Sequence, residues 1–363
     1  MRPAISQLLE RIAGLAGQEG GADALAALLP EQAAVYDGLG SGEAERLRAH
    51  IFAALAAGAL PAAALPFVLE ELETGADPAA TAAAAMALRG APGAVAEAEA
   101  LLLKSAARLA VADSPFPLAP GRTALQEVLA TLAVLPTAGA ESVAALGAML
   151  AQGALSAAAR AEAERTLAAL RARRSEKPPC CSTKASDPGA PLPALEIAGV
   201  RLEDQSGARL AFADFFAGEP SALAFFYTRC MNPERCSLTV TKLARLQARL
   251  ADRGLTGRAR VAAISYDPDY DLPGRLADYG AQRGFRFDAR NRFLRTLGPV
   301  EPLKAHFELG VGYGPATVNR HRIELFVLDG AGAVAASFTR RLWDEAEVAA
   351  ALASQLASPA TSS

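Results

Sequence analysis

The chain has 363 residues, 52% of them hydrophobic and 21% charged, which is too apolar for a disordered protein and long enough for two cored domains. Its formal net charge is −3, with 21 of the 36 Lys and Arg and 19 of the 39 acidic residues after residue 190, so the second half stands near +2 and the first near −5. Neither half carries the excess that nucleic-acid binding requires. Four cysteines and three histidines exclude a disulfide scaffold or several zinc sites and leave room for one small metal or redox centre.

At the N-terminus, Met1-Arg2 leads into an amphipathic stretch interrupted by Glu10 and Arg11, without the apolar core of a secretory signal. A cytoplasmic location is therefore expected. The one candidate membrane span, 51–69, contains Gly58, Pro61 and Pro66 and is largely alanine, so it reads as two buried helices meeting at a turn.

Residues 1–175 alternate apolar-periodic segments with Gly, Pro and Asp punctuation. Helices are expected at 43–57, 62–73, 78–89, 123–135, 141–152 and 157–171, and a long connecting loop at 110–122. Asp77-Pro78 supplies an N-cap and a first-turn proline, while Gly58, Gly75 and Gly90 fall just past helix ends. Strand signals are nearly absent. Short helices, short turns and abundant alanine predict an all-helical domain of stacked antiparallel pairs, HEAT-like in character. Residues 176–193, rich in charge, proline and small polar groups, read as a flexible linker that carries Cys180 and Cys181.

After residue 193 the hydrophobic period changes. Residues 195–202 and 208–212 flank Asp204-Gln-Ser-Gly as a hairpin. The apolar runs 222–227 and 260–266 read as central buried strands, 237–253 and 273–282 as helices, 323–328 and 333–338 as a second hairpin, and 344–355 as a closing helix. Hairpin, strand, helix, strand, helix, hairpin, helix is the order of a redoxin. Residues 194–357 are thus expected to form a thioredoxin-like α/β domain with a mostly parallel centre, followed by a tail at 358–363.

Three segments carry a family resemblance. Phe225-Phe-Tyr-Thr-Arg-Cys-Met-Asn-Pro-Glu-Arg-Cys-Ser-Leu-Thr resembles the thiol motif of the SCO/SenC family of copper-binding thioredoxin-like proteins. Ile264-Ser-Tyr-Asp-Pro-Asp-Tyr-Asp-Leu-Pro resembles that family's strand-ending Asp-Pro segment, and His321 precedes Asp329-Gly-Ala-Gly as the family's ligand histidine precedes its hairpin. The resemblance implies copper, Cu(I) or Cu(II), as cofactor, with Cys230, Cys236 and His321 as ligands. It also implies work outside the cytoplasm behind an anchor, against the reading of the N-terminus.

The residue chemistry agrees. Two thiolates and an imidazole suit Cu(I) and, with an added oxygen donor, Cu(II). Cys236 opens a helix, where unpaired N–H groups favour the thiolate, and Arg229 and Arg235 add positive charge. A depressed thiol pKa serves metal binding and disulfide exchange equally. The five residues between the cysteines exceed the two of an ordinary Cys-x-x-Cys enzyme. Asp267, Asp269 and Asp271 suggest calcium by charge alone, but at a strand end with prolines nearby Asp267 and Asp271 are better read as supports for the ligands. His306 and His50 read as structural. Peroxidase chemistry wants Thr-x-x-Cys, and Thr228-Arg-Cys230 is one residue short. Cys180 and Cys181 fit either a pair of transfer thiols for a soft ion or incidental surface thiols.

Three functions stand open. The first is a copper chaperone or metallation factor, with thiol redox as a possible companion activity. The second is a metal-free thiol-disulfide oxidoreductase using Cys230 and Cys236. The third is a helical scaffold or interaction protein carrying a structural redoxin module. In the first and third the helical domain docks a protein partner, and in the first a copper donor or recipient is also expected. Neither nucleic acid nor a membrane span is expected.

Overall fold

The computed structural model describes residues 5–93, 95–173 and 197–357. The expected linker at 176–193, with Cys180 and Cys181, and the expected tail at 358–363 lie outside the described residues. The chain divides into two units, Met1–Ala185 and Ser186–Ser363.

The first unit is built from helices α1 (Ile5–Leu15), α2 (Gly21–Ala26), α3 (Ser41–Leu55), α4 (Leu65–Thr74), α5 (Pro78–Leu88), α6 (Ala98–Val111), α7 (Ala124–Val134), α8 (Ala140–Gln152) and α9 (Ala157–Arg173). Their ends follow the local chemistry. Asp77 accepts a hydrogen bond from the Ala80 N–H at 2.7 Å, with Pro78 opening α5, and Thr123 and Gln126 form a reciprocal capping box on α7. Helices α3, α5, α7 and α9 pack one against the next, and α4, α6 and α8 make a second row against them. Alanine is what permits this spacing. Ala82, Ala83, Ala84, Ala85 and Ala87 of α5 are wholly buried between neighbours, where a larger side chain would push the helices apart. The 51–69 stretch ends α3 at Leu55 and opens α4 at Leu65. No helix among the described residues is long and apolar enough to cross a membrane.

The second unit centres on a seven-stranded sheet in the order β2-β1-β5-β4-β3-β8-β9. The strands are β1 (Arg201–Asp204), β2 (Arg209–Ala211), β3 (Ser221–Phe226), β4 (Arg260–Ser265), β5 (Asn291–Thr296), β8 (Glu324–Leu328) and β9 (Val334–Thr339), and β6 (Val311–Tyr313) with β7 (Val318–His321) makes a separate hairpin. Strands β3, β4 and β5 run parallel, and β1 and β8 flank them antiparallel. Connecting helices are α10 (Phe212–Phe216), α11 (Leu238–Asp252), α12 (Pro273–Ala281), α13 (Glu301–His306) and α14 (Glu345–Ala357). Every residue of β3 is buried, as its unbroken apolar run requires.

The expected element order omitted β5 and the β6–β7 hairpin. Strand β5 reads Asn-Arg-Phe-Leu-Arg-Thr, and its two arginines mask the strand pattern. The charges are tolerated because β1 answers them: Arg292 meets Asp204 at 3.0 Å, and the Arg295 Nε donates to Glu203 at 2.7 Å from the facing register position.

Helix α12 reaches the sheet through a glycine. A Cβ at Gly280 would stand 2.5 Å from Phe287 and 2.8 Å from Phe293, whereas one at Gly274 in the same helix meets nothing within 4 Å. Gly280→Ala should therefore destabilise the second unit by about 1–3 kcal/mol through overpacking. Gly274→Ala should stabilise it by about 0.5–1 kcal/mol through helix propensity. Thermal and urea melts of the two variants measure the contrast.

Candidate metal centre

The site forms where β3 and β4 end. The strand β3 runs directly into Tyr227-Thr228-Arg229-Cys230, and the Cys230 N–H donates to the Tyr227 carbonyl. Asn232 then accepts the Glu234 N–H at 2.9 Å on its side-chain oxygen, capping a π-helical turn, Pro233–Ser237, that contains Cys236 and continues into α11. The third member arrives from far along the chain: β7 ends on His321, which the β6–β7 pairing sets opposite Val311.

These three residues converge. The His321 Nε2 lies 3.4 Å from the Cys230 sulfur and 3.5 Å from the Cys236 sulfur, and all three donor atoms fall within 4.8 Å of one another. Cys236 and His321 are buried, while Cys230 is half-buried. Both cysteines are free thiols. The His321 Nδ1 is 3.0 Å from the Arg322 carbonyl oxygen, so Nδ1 carries the proton it donates there and Nε2 presents its lone pair to the sulfurs. Donors bound to one ion at about 2.0–2.3 Å stand roughly 3.5–4 Å from one another, so the three atoms need only a small adjustment to share an ion.

The surroundings of His321 were invisible to sequence reasoning. Its ring meets Tyr227 edge-on at 5.4 Å and tilts against Tyr266 at 5.7 Å between centroids. The Tyr266 hydroxyl donates to buried Glu324 at 2.6 Å, and Glu324 also accepts the Gly310 N–H at 2.6 Å and the Arg322 guanidinium. Buried Arg235 donates to the His321 carbonyl, fastening the cysteine turn to β7. The one available signal was position: Tyr227 and Tyr266 each stand one residue beyond a central strand.

The aspartates are placed around the site and outside the ligand set. Asp271 is fully buried and accepts the Thr228 N–H at 3.0 Å, the Thr228 hydroxyl and the Ser265 hydroxyl. Burial pushes its carboxyl up, and these hydrogen bonds pull it back. Asp267 holds Arg229, whose Nε donates to it at 3.0 Å while the guanidinium lies 4.1 Å over the Tyr270 ring. The expected contribution of Arg229 to thiol acidity is therefore corrected: its charge is answered by Asp267. Among the described residues, no His, Cys, Asp or Glu group other than Cys230, Cys236 and His321 has metal-holding geometry, which leaves no calcium cluster at Asp267, Asp269 and Asp271. His306 stacks edge-on against Phe307 at the end of α13, away from the ligand set. Cys180 and Cys181 lie outside the described residues.

The two thiols differ in acidity. Hydrogen bonding from Cys236 draws the Cys230 thiol far below its usual range in spite of burial. Burial pushes the Cys236 thiol well up.

Residues 198–357 match the SCO1/SenC family model. No curated protein matches the chain. Among solved structures the chain is similar to an SCO1/SenC family lipoprotein from Bacillus anthracis (19% identity, 46% of this chain and 97% of that one, TM-score 0.40). It is also similar to Bradyrhizobium japonicum ScoI with copper bound (22%, 47% and 99%, TM-score 0.33) and to yeast Sco1 with copper bound (20%, 49% and 98%, TM-score 0.34).

The acidity difference has a direct chemical readout. With its pKa lowered, Cys230 remains thiolate as pH falls, so its alkylation rate should stay nearly level from pH 8 to pH 6. An ordinary thiol would slow about tenfold per unit over that interval. Cys236 should label only on unfolding. Iodoacetamide labelling of reduced protein, read by peptide mass spectrometry, measures both.

Proposed function

We propose that this chain, whose second unit is an SCO1/SenC domain, is a copper-binding thioredoxin-like protein that acts as a copper chaperone or metallation factor. Cys230, Cys236 and His321 hold the ion as cargo. The observation that carries the reading is the convergence of two sulfurs and one imidazole nitrogen within 4.8 Å, with Nε2 already facing the thiols. Two soft donors and one borderline donor fit Cu(I), and the imidazole adds affinity for Cu(II). The match over 198–357 supports the same choice.

In this reading the helical unit, a HEAT-like array, docks the protein that supplies or receives copper. The packing of its short helices in two rows supports this reading, since stacked helix pairs create extended binding surfaces. Cys180 and Cys181 serve as transfer thiols that raise the local supply of the ion to the folded site.

A second reading has its own support. An acidic, half-exposed Cys230 beside a buried Cys236 of raised pKa is the asymmetry of an attacking and a resolving thiol. A metal-free thiol-disulfide oxidoreductase would use this pair and have no need of His321.

Full-length protein loaded anaerobically with Cu(I) should bind one ion at the folded site. Cys230→Ser and Cys236→Ser should each abolish tight binding there. His321→Ala should weaken Cu(I) modestly and Cu(II) severely. Replacing Cys180 and Cys181 together with serine should leave affinity at the folded site unchanged and slow loading from a donor complex. Metal analysis and competition titration measure the affinities. Tight binding by the Cys230→Ser, Cys236→Ser double variant would refute the copper reading, and reductase activity surviving His321→Ala would favour the dithiol enzyme.

A further inference from the structure

The residue between Cys230 and Asn232 is a methionine with almost no packing. Among the described residues of the second unit, three large hydrophobic side chains are exposed, Met231, Tyr270 and Leu272, at 92%, 36% and 43%. Tyr270 has a local reason, since Arg229 and Arg275 lie 4.1 and 4.2 Å over its ring. Met231 stands out in water, next in the chain to Cys230 of a site whose donors are sulfur and imidazole. The chain holds four methionines, and Met1, Met86 and Met149 all belong to the first unit.

The burial pattern of the donors gives this position meaning. Cys236 and His321 close the inner side of the site, and only Cys230 is partly open. An ion held there therefore has its accessible side at Cys230. Met231 is the next residue, about 3.8 Å away between Cα atoms, and its three rotatable bonds carry a polarisable thioether that can swing over that opening. A thioether is soft, neutral and suited to Cu(I).

We infer that Met231 is an entry and exit ligand for the ion, an inference that rests on the copper reading above. The thioether adds to Cu(I) at the mouth as a third sulfur donor. The ion keeps its charge, no proton is released, and the new copper–sulfur bond forms before a thiolate bond breaks. The ion then passes to a recipient whose own donors are soft, thiolate or thioether.

The test uses full-length protein labelled with [methyl-13C]methionine, titrated anaerobically with one equivalent of Cu(I), while the His321 ring resonances report loading. The Met231 methyl resonance, assigned by its loss in Met231→Leu, should move with loading while those of Met86 and Met149 stay fixed. Leucine keeps the volume and apolarity of methionine. Met231→Leu should nonetheless slow transfer of Cu(I) to bicinchoninate about tenfold, about 1.4 kcal/mol of barrier. If His321 responds and Met231 does not, the inference is overturned and the copper reading stands. If neither responds, the copper reading fails and takes the inference with it. A moving Met231 resonance with unchanged transfer in the leucine variant overturns the transfer role.

Discussion

One buried carboxylate holds the two central strands together at the end that matters. Asp271 receives the Thr228 N–H and hydroxyl from the chain leaving β3, and the Ser265 hydroxyl from the last residue of β4. Parallel strands deliver their C-terminal ends to the same edge of a sheet, and loops leaving that edge splay unless something joins them. Here the joint fixes Thr228, two residues before Cys230, so the first sulfur is placed by the sheet rather than by its own loop. A carboxylate with several charge-assisted hydrogen bonds is a strong tie, and its burial makes any missing partner costly.

The other two donors are secured by different means that meet the first. The Nδ1 hydrogen bond of His321 to its neighbour's carbonyl chooses the tautomer, and the Tyr227 and Tyr266 rings set the plane of the imidazole. Arg235 reaches from the cysteine turn to the His321 carbonyl, so the second thiol and the histidine are coupled through the backbone. The site is thereby preorganised: ordering of the ligands is achieved by folding, and little entropy remains to be lost on binding.

What could be read from the chain beforehand follows from which features are local. The Cys230 to Cys236 segment, the strand before it and the helix after it carry their own periodicity and turn chemistry, and the alanine-rich first unit announces helices through composition alone. His321 was legible by its place before the Asp329 hairpin, although the β6–β7 ribbon that carries it was not, because its strands are three and four residues long. Strand β5 was hidden because its arginines are paired with Glu203 and Asp204, about ninety residues earlier. Arg229 was misread for the same reason. Its partner Asp267 belongs to a loop that only the fold brings near, and a single charge in a sequence shows no partner. The Glu324–Tyr266 network likewise joins residues 58 positions apart and has no local signature.

The π-helical turn at Pro233–Ser237 takes up one residue of a long inter-cysteine loop before α11 begins. Widening one turn of a helix takes up an inserted residue without displacing the turns that follow it. The sulfur of Cys236 therefore keeps its place while Asn232 caps the turn, and exposed Met231 is the part of the loop left to vary. Substitutions at Met231 alter what a visiting molecule encounters while Cys236 and His321 behind it stay buried, which lets recognition diverge between descendants without disturbing the inner donors.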